Sequence, residues 1–136
     1  MNYLLDTNVI SELKRPKPNP AIVDWFATTE RESLCLSVLT LGEIRKGIAK
    51  LPDGQRKQAL SDWLEKELPL WFGSRLLVID ADVADCWGKL QAQTNRPLPA
   101  VDSLLAATTL YHNLCLVTCN VRDFAYPDLT VLNLWH

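Results

Sequence analysis

Glycine is scarce in this chain, five residues among 136, and none falls in a G-x-G-x-x-G or G-x-x-x-x-G-K pattern. That excludes a nucleotide fold that cradles phosphate on a glycine-rich loop. Histidine is scarcer. His112 and His136 do not combine with Cys35, Cys86, Cys115 and Cys119 into zinc-ligand spacing, and Cys115 and Cys119 do not form a CxxC. No serine–histidine pairing suggests a nucleophilic hydrolase. The cysteines stand among apolar neighbours and read as reduced core thiols of a cytosolic protein. No apolar run approaches the roughly 20 residues of a membrane helix. The Met-Asn-Tyr start lacks the basic stretch and cleavage site of a signal peptide, so the expected location is the cytoplasm. Positive charge is not in excess either. Fourteen Lys and Arg against sixteen Asp and Glu give a net charge of −2 and a pI of about 5.6. Gripping nucleic acid by bulk charge is thereby excluded; any such contact must be local, transient or helped by cations.

What the chain does have is apolar residues, 48% of the total, enough for a sizeable core in one domain over residues 1–136. Short apolar segments at 3–6, 34–37, 76–79, 115–118 and 130–132 read as strands. Between them lie helical patterns near 7–13, 21–28, 40–50, 55–72, 80–93 and 101–112. Pro69 is expected to kink or end the longest of these. Strands that are apolar throughout and separated by helices predict an α/β fold: a three-layer α/β/α sandwich on a short, mainly parallel sheet. The segment around 38–75 reads as a helical insertion or flap.

The informative feature is where the carboxylates fall. Leu4-Leu5-Asp6-Thr7-Asn8 carries an acid to the end of a buried strand, where ligand sites of parallel sheets lie. Asp6 serves equally well as a helix cap or Asx-turn. Glu43 follows Thr40 in an S/T-x-x-E capping box, which alone explains it. Asp102, in Pro99-Ala-Val-Asp102-Ser, is favoured by the helix dipole in a first turn. Ala106 and Thr109 on the same face are small enough to let that helix approach the sheet. After the fourth strand, Asn120 can cap a short helix with Asp123 at the matching box position, while Thr118 can orient a carboxylate or water. Asp80, Asp82 and Asp85 read as ordinary first-turn acids. If the other acids gather at one sheet edge, their mutual repulsion calls for a hard cation. Oxygen-only ligation suits Mg²⁺ or Mn²⁺.

Four segments together resemble the PIN-domain ribonucleases, in particular VapC-type toxins of bacterial toxin–antitoxin pairs. They are Leu4-Leu-Asp6-Thr-Asn8, Leu41-Gly-Glu43-Ile-Arg45-Lys46-Gly47, Pro99-Ala-Val-Asp102-Ser-Leu-Leu-Ala-Ala107 and Leu116-Val-Thr118-Cys-Asn120-Val-Arg-Asp123-Phe124. The resemblance spans residues 2–135. It implies that Asp6, Glu43 and Asp102 bind Mg²⁺ or Mn²⁺ and support RNA cleavage, with Thr118 lining the pocket and Thr7 and Asn8 as the polar pair beside Asp6. The family's fourth acidic position falls by spacing on Asn120, with Asp123 one turn later; which of the two completes the metal site stays open, and Asp123 is the candidate to supply the negative charge, through water. The resemblance further implies a homodimer and a larger assembly with a VapB-like antitoxin. The antitoxin tail wraps the toxin and sets a basic side chain near the acids. The substrate class is structured RNA, tRNA included, and DNA is met only through the antitoxin. Lys14, Arg15 and Lys17, and Arg45, Lys46 and Lys50, are candidate phosphate contacts. Trp25 and Trp63 are candidates for partner grooves. The competing classes are a metal-dependent phosphatase or phosphotransferase, against which Asn8 replaces the second acid of an Asp-x-Asp pair, and an inactive binding protein.

Overall fold

The computed structural model describes residues 1–135; His136, considered above as a zinc ligand, lies outside the described residues. Five strands form one sheet in the order β3-β2-β1-β4-β5, and every pairing is parallel. They are β1 (Tyr3–Leu5), β2 (Leu34–Ser37), β3 (Leu76–Leu77), β4 (Cys115–Val117) and β5 (Thr130–Leu132). Seven helices link and cover them: α1 (Thr7–Glu12), α2 (Pro20–Thr28), α3 (Val38–Ala49), α4 (Gln55–Asp62), α5 (Leu68–Phe72), α6 (Ala81–Ala92) and α7 (Ala100–Tyr111). This is the α/β architecture expected from apolar strands alternating with helices.

Side chains alternate across each strand and so feed two cores. Leu5, Leu34, Leu36 and Val117 pack with Val9, Ile44 and Phe72 on one face. Leu4, Cys35 and Leu116 pack with Leu90, Leu105 and Ala106 on the other. The small residues of α7 act as the spacing suggests: Ala106, Ala107 and Thr109 are wholly buried, and Thr109 satisfies its hydroxyl by donating to the Leu105 carbonyl.

Three local expectations need correction. β3 stops at Leu77, two residues short of the expected Ile79. The helix expected over 55–72 is interrupted by a π-helical turn at Trp63–Glu67, in which the Leu68 amide reaches the Trp63 carbonyl. Pro69 follows at the start of α5 and has no amide to give an α-helical bond, so the wider turn arises where the ladder must already break. Gly73, at φ 54°, then ends α5. The capping box at Thr40 does not form. Ser37 is the N-cap of α3, accepting from the Leu39 amide, and Thr40 lies inside the helix with its hydroxyl buried and unpaired among the described residues. Ser37 is itself the last residue of strand β2, which is why the helix begins earlier than the box predicts.

The remaining acids at the start of α6 are accounted for structurally. Asp80 caps the helix through the Val83 amide, Asp82 accepts from the Tyr111 hydroxyl, and Asp85 pairs with Lys89. No helix among the described residues is long and apolar enough to cross a membrane. All four cysteines are free thiols; Cys35 and Cys115 are buried, whereas Cys86 and Cys119 are only half-buried.

Candidate active site

Strand register builds the centre of the site. Leu5 pairs with Val117, so the next row sets Asp6 beside Thr118 where both strands end. The ladder continues through them, from the Asp6 amide to the Val117 carbonyl and from the Thr118 amide to the Leu132 carbonyl. Asp6 is buried and caps α1 through the Thr7 amide at 2.8 Å. Its other oxygen accepts from the Thr118 hydroxyl at 2.7 Å and from the Asn8 amide group at 3.1 Å. Thr118 also accepts from Asn8 at 3.3 Å and from the Asn120 backbone at 3.0 Å. Asn8 in turn accepts from the Cys119 amide. Three donors satisfy the buried carboxylate oxygens and fix their direction. The cap and site readings of Asp6 are therefore not alternatives; the same side chain does both.

The other acids reach the edge from different elements. Glu43 is exposed on α3 and accepts a 2.6 Å bond from the Thr7 hydroxyl, which ties it to the residue after Asp6. Asp102 is half-buried in the first turn of α7. Its pKa is raised, first by burial and then by the like charges of Asp6, Asp123 and Glu43. Asp123 is exposed in the single 3-10 turn Val121–Phe124. Asn120 begins that turn through its carbonyl, not its side chain. The box expected between Asn120 and Asp123 does not form, which leaves the Asp123 carboxylate free of its own backbone.

Four acids thus gather at the C-terminal edge of the sheet. Among the described residues, however, no three His, Cys, Asp or Glu side chains stand close enough to ligate one ion. The donor set is oxygen-only and anionic, a chemistry that fits a hard divalent cation and not zinc or copper.

A cleft of about 260 Å³ opens from Thr7 and Glu43, lined by Lys14, Arg15, Arg56 and Trp63 among others. Of the acids, this cleft touches Glu43 alone. Arg45 and Lys46 do not line it. Arg45 turns to Glu65 at 2.7 Å and to Ser61, in a half-exposed pair worth about 0–1 kcal/mol. Arg56 is the cation that sequence reasoning missed. It comes from α4 and donates to the Lys14 carbonyl at 3.0 Å; no local pattern announces a contact over 42 positions. Glu12 was missed as well. Buried one turn beyond Asn8, it accepts from the Asn19 amide and pairs with Arg15, shaping the loop that presents Lys14. A second groove of about 330 Å³ adjoins the cleft, walled by Ile10, Phe26, Trp63, Trp71 and Phe72. Trp63 lines both. Trp25 lines neither, since it stacks edge-on between Tyr3 and Phe26.

The family model described as PIN domain matches residues 3–128. This chain belongs to the PIN-domain family. Within it, the chain is a VapC/FitB-like toxin of the type II toxin–antitoxin class. It is 38% identical over 136 residues to toxin FitB of Neisseria gonorrhoeae, covering 98% of each chain. It is 33% identical over 135 residues to a VapC ribonuclease of Sinorhizobium fredii, covering 97% of this chain and 96% of the relative. Among solved structures, FitAB bound to a DNA fragment superposes with a TM-score of 0.88 at 34% identity, over 98% of this chain and 96% of that one. In this chain the strand-end Asp6 adjoins Thr7, which bonds Glu43, and Asp102 feels the charge of both acids.

Proposed function

We propose that this PIN-domain protein is a divalent-metal-dependent endoribonuclease toxin. Its substrate is structured RNA, tRNA among the candidates, and a cognate VapB-like antitoxin holds it inactive in the cytoplasm. The observation that carries the reading is the gathering of Asp6, Glu43, Asp102 and Asp123 at the sheet edge, with Asp6 pinned by Thr118 and Asn8. Asp6, Glu43, Asp102 and Asp123 would hold Mg²⁺ or Mn²⁺. When bound, such an ion polarises a phosphodiester and activates water. Asp6 is the fixed member, since its oxygens are already oriented by three donors. Glu43 and Asp123, both exposed, are the members free to adjust toward the substrate. The single domain would use the segment around 38–75, which carries Glu43 and Arg56, as a flap over the RNA. End-mapping of cellular RNAs after brief expression of wild type beside Asp6→Asn tests the activity: cuts made by both proteins alike would refute it.

Lys14, Arg15 and Arg56 would hold phosphates flanking the scissile bond. A charge-assisted contact of this kind is worth about 1.5–3 kcal/mol. Arg56→Glu should therefore raise KM for RNA roughly tenfold or more while changing kcat little. Steady-state cleavage of a labelled stem-loop separates the two parameters.

For the fourth acidic position, Asp123 supplies charge and Asn120 shapes the turn. Asp123→Ala should raise the Mn²⁺ concentration needed for half-maximal cleavage more than Asn120→Ala does. The reverse order would return Asp123 to a structural role.

The relatives of known structure include DNA-bound FitAB and VapBC complexes, and on that likeness we place an antitoxin tail in the apolar groove beside the cleft. Trp63 would contact it, and a basic antitoxin side chain would reach the acids. A homodimer joining a larger assembly is part of the same reading, with DNA met through the antitoxin.

A further inference from the structure

Asp6 and Asp102 are held in different ways. Asp6 has three hydrogen-bond donors. The Asp102 carboxylate has no hydrogen-bond partner among the described residues, so the backbone of the first turn of α7 must set its direction. That turn is poorly secured by its own sequence. Pro99 occupies the N-cap and gives no side-chain bond to the free amides. Beside the helix's own bond from the Ser103 amide to the Pro99 carbonyl, a side-chain bond reaches in from the neighbouring helix. The indole N–H of Trp87, on α6, donates to the Ser103 hydroxyl at 2.9 Å. Ser103 is wholly buried and passes its own proton to the Ala100 carbonyl at 3.0 Å. The relay Trp87–Ser103–Ala100 thus fixes the backbone on both sides of Asp102.

We infer that Trp87 is a positioning residue for Asp102, acting through Ser103. The inference rests on the proposed metal-binding role of Asp102. A tryptophan kept only for packing would need its ring and not its N–H. Here the N–H is aimed at the residue following the acid, and Ser103 is used as both acceptor and donor. Sequence reading places Trp87 among packing or interface aromatics, because a contact over 16 positions between two helices leaves no local trace. Removing the bond by Ser103→Ala leaves the indole and the apolar contacts of α6 in place. It frees the first turn of α7 to rotate and fray, and Asp102 with it.

The test is Mn²⁺ binding by titration calorimetry on the full chain, for wild type, Trp87→Phe, Ser103→Ala and the double variant, with melting temperatures in EDTA alongside. The expected result is a Mn²⁺ Kd raised several-fold in each single variant. The double variant should be no weaker than the worse single, because both break one relay. Melting temperatures in EDTA should change far less than those of buried large-to-small variants. Trp87→Phe and Ser103→Ala with wild-type Kd would overturn the inference while leaving the metal site standing. So would additive losses in the double variant. If wild type takes up no Mn²⁺, the metal reading itself fails and the inference falls with it. If Trp87→Phe does not fold, Ser103→Ala decides alone, since it keeps the indole.

Discussion

Asp6→Asn and Asp102→Asn should each abolish RNA cleavage, by on the order of 10³-fold or more, with the fold intact. Each exchange removes one charge and almost no volume. At Asp6 the amide keeps one oxygen, but its nitrogen cannot accept. Either the Thr7 amide or the Thr118–Asn8 pair must lose its acceptor. At Asp102 there is no such bond to lose, so the effect isolates charge. Asp102→Asn should therefore be as inactive as Asp6→Asn yet more stable in EDTA than wild type, whereas Asp6→Asn should gain less or lose stability. Cleavage of a tRNA pool and thermal melts of the same preparations distinguish the two. An Asp102→Asn protein that still cuts at the wild-type rate would remove that residue from the chemistry.

The second large effect concerns the ion and its linkage to pH. Asp102 has a folded pKa raised above its usual 3.8 by burial, with Asp6, Asp123 and Glu43 adding to the shift. A carboxyl that binds its proton more tightly when folded destabilises the fold once ionised. Without cation, the Asp102 contribution is therefore most favourable at low pH, below its unfolded pKa. It is lost as pH rises through the raised folded pKa. At neutral pH the ionised Asp102 costs stability, and a cation should offset that cost. Mn²⁺ at 100 times its Kd should stabilise the folded chain by about 2.7 kcal/mol. The melting temperature should rise with Mn²⁺ and fall back with EDTA, and the shift should shrink in Asp102→Asn. A melting curve indifferent to Mn²⁺ at pH 7 would contradict the metal reading.

Much of this site is legible in the chain because its parts are local. Leu4-Leu5-Asp6 is a buried strand ending in an acid, and Thr118 ends another. The parallel register then does the rest, setting the two side by side. Ala106 and Thr109 announce a helix face that must lie close to the sheet, and Asp102 rides on that helix. What the sequence does not disclose depends on pairs far apart along it. Arg56 meets Lys14 because α4 folds back over the loop after α1. Arg45, as basic and as near Glu43 in sequence as any cation, turns instead to Glu65. Thr40 and Glu43 match a capping pattern, but Ser37 lies at the strand end and starts the helix first. Trp25 and Trp63 look alike as apolar helix residues; only packing shows that Tyr3 and Phe26 take up the one, while the other faces both hollows.

The π-helical turn at Trp63–Glu67 has a consequence for how this chain can vary. Each residue advances an α-helix by about 100°, so the residue accommodated in the wide turn sets the phase between the two halves of the segment. Upstream, that phase points Arg56 at the carbonyl of Lys14; downstream, it turns Leu68 and Phe72 into the core. Shortening the turn by one residue would leave a smoother helix and a worse protein. With Phe72 anchored, Arg56 would swing away from the cleft; with Arg56 anchored, Phe72 would swing out of the core. Length in this stretch is therefore constrained more tightly than residue identity, because the turn itself buries Trp63 and Leu64.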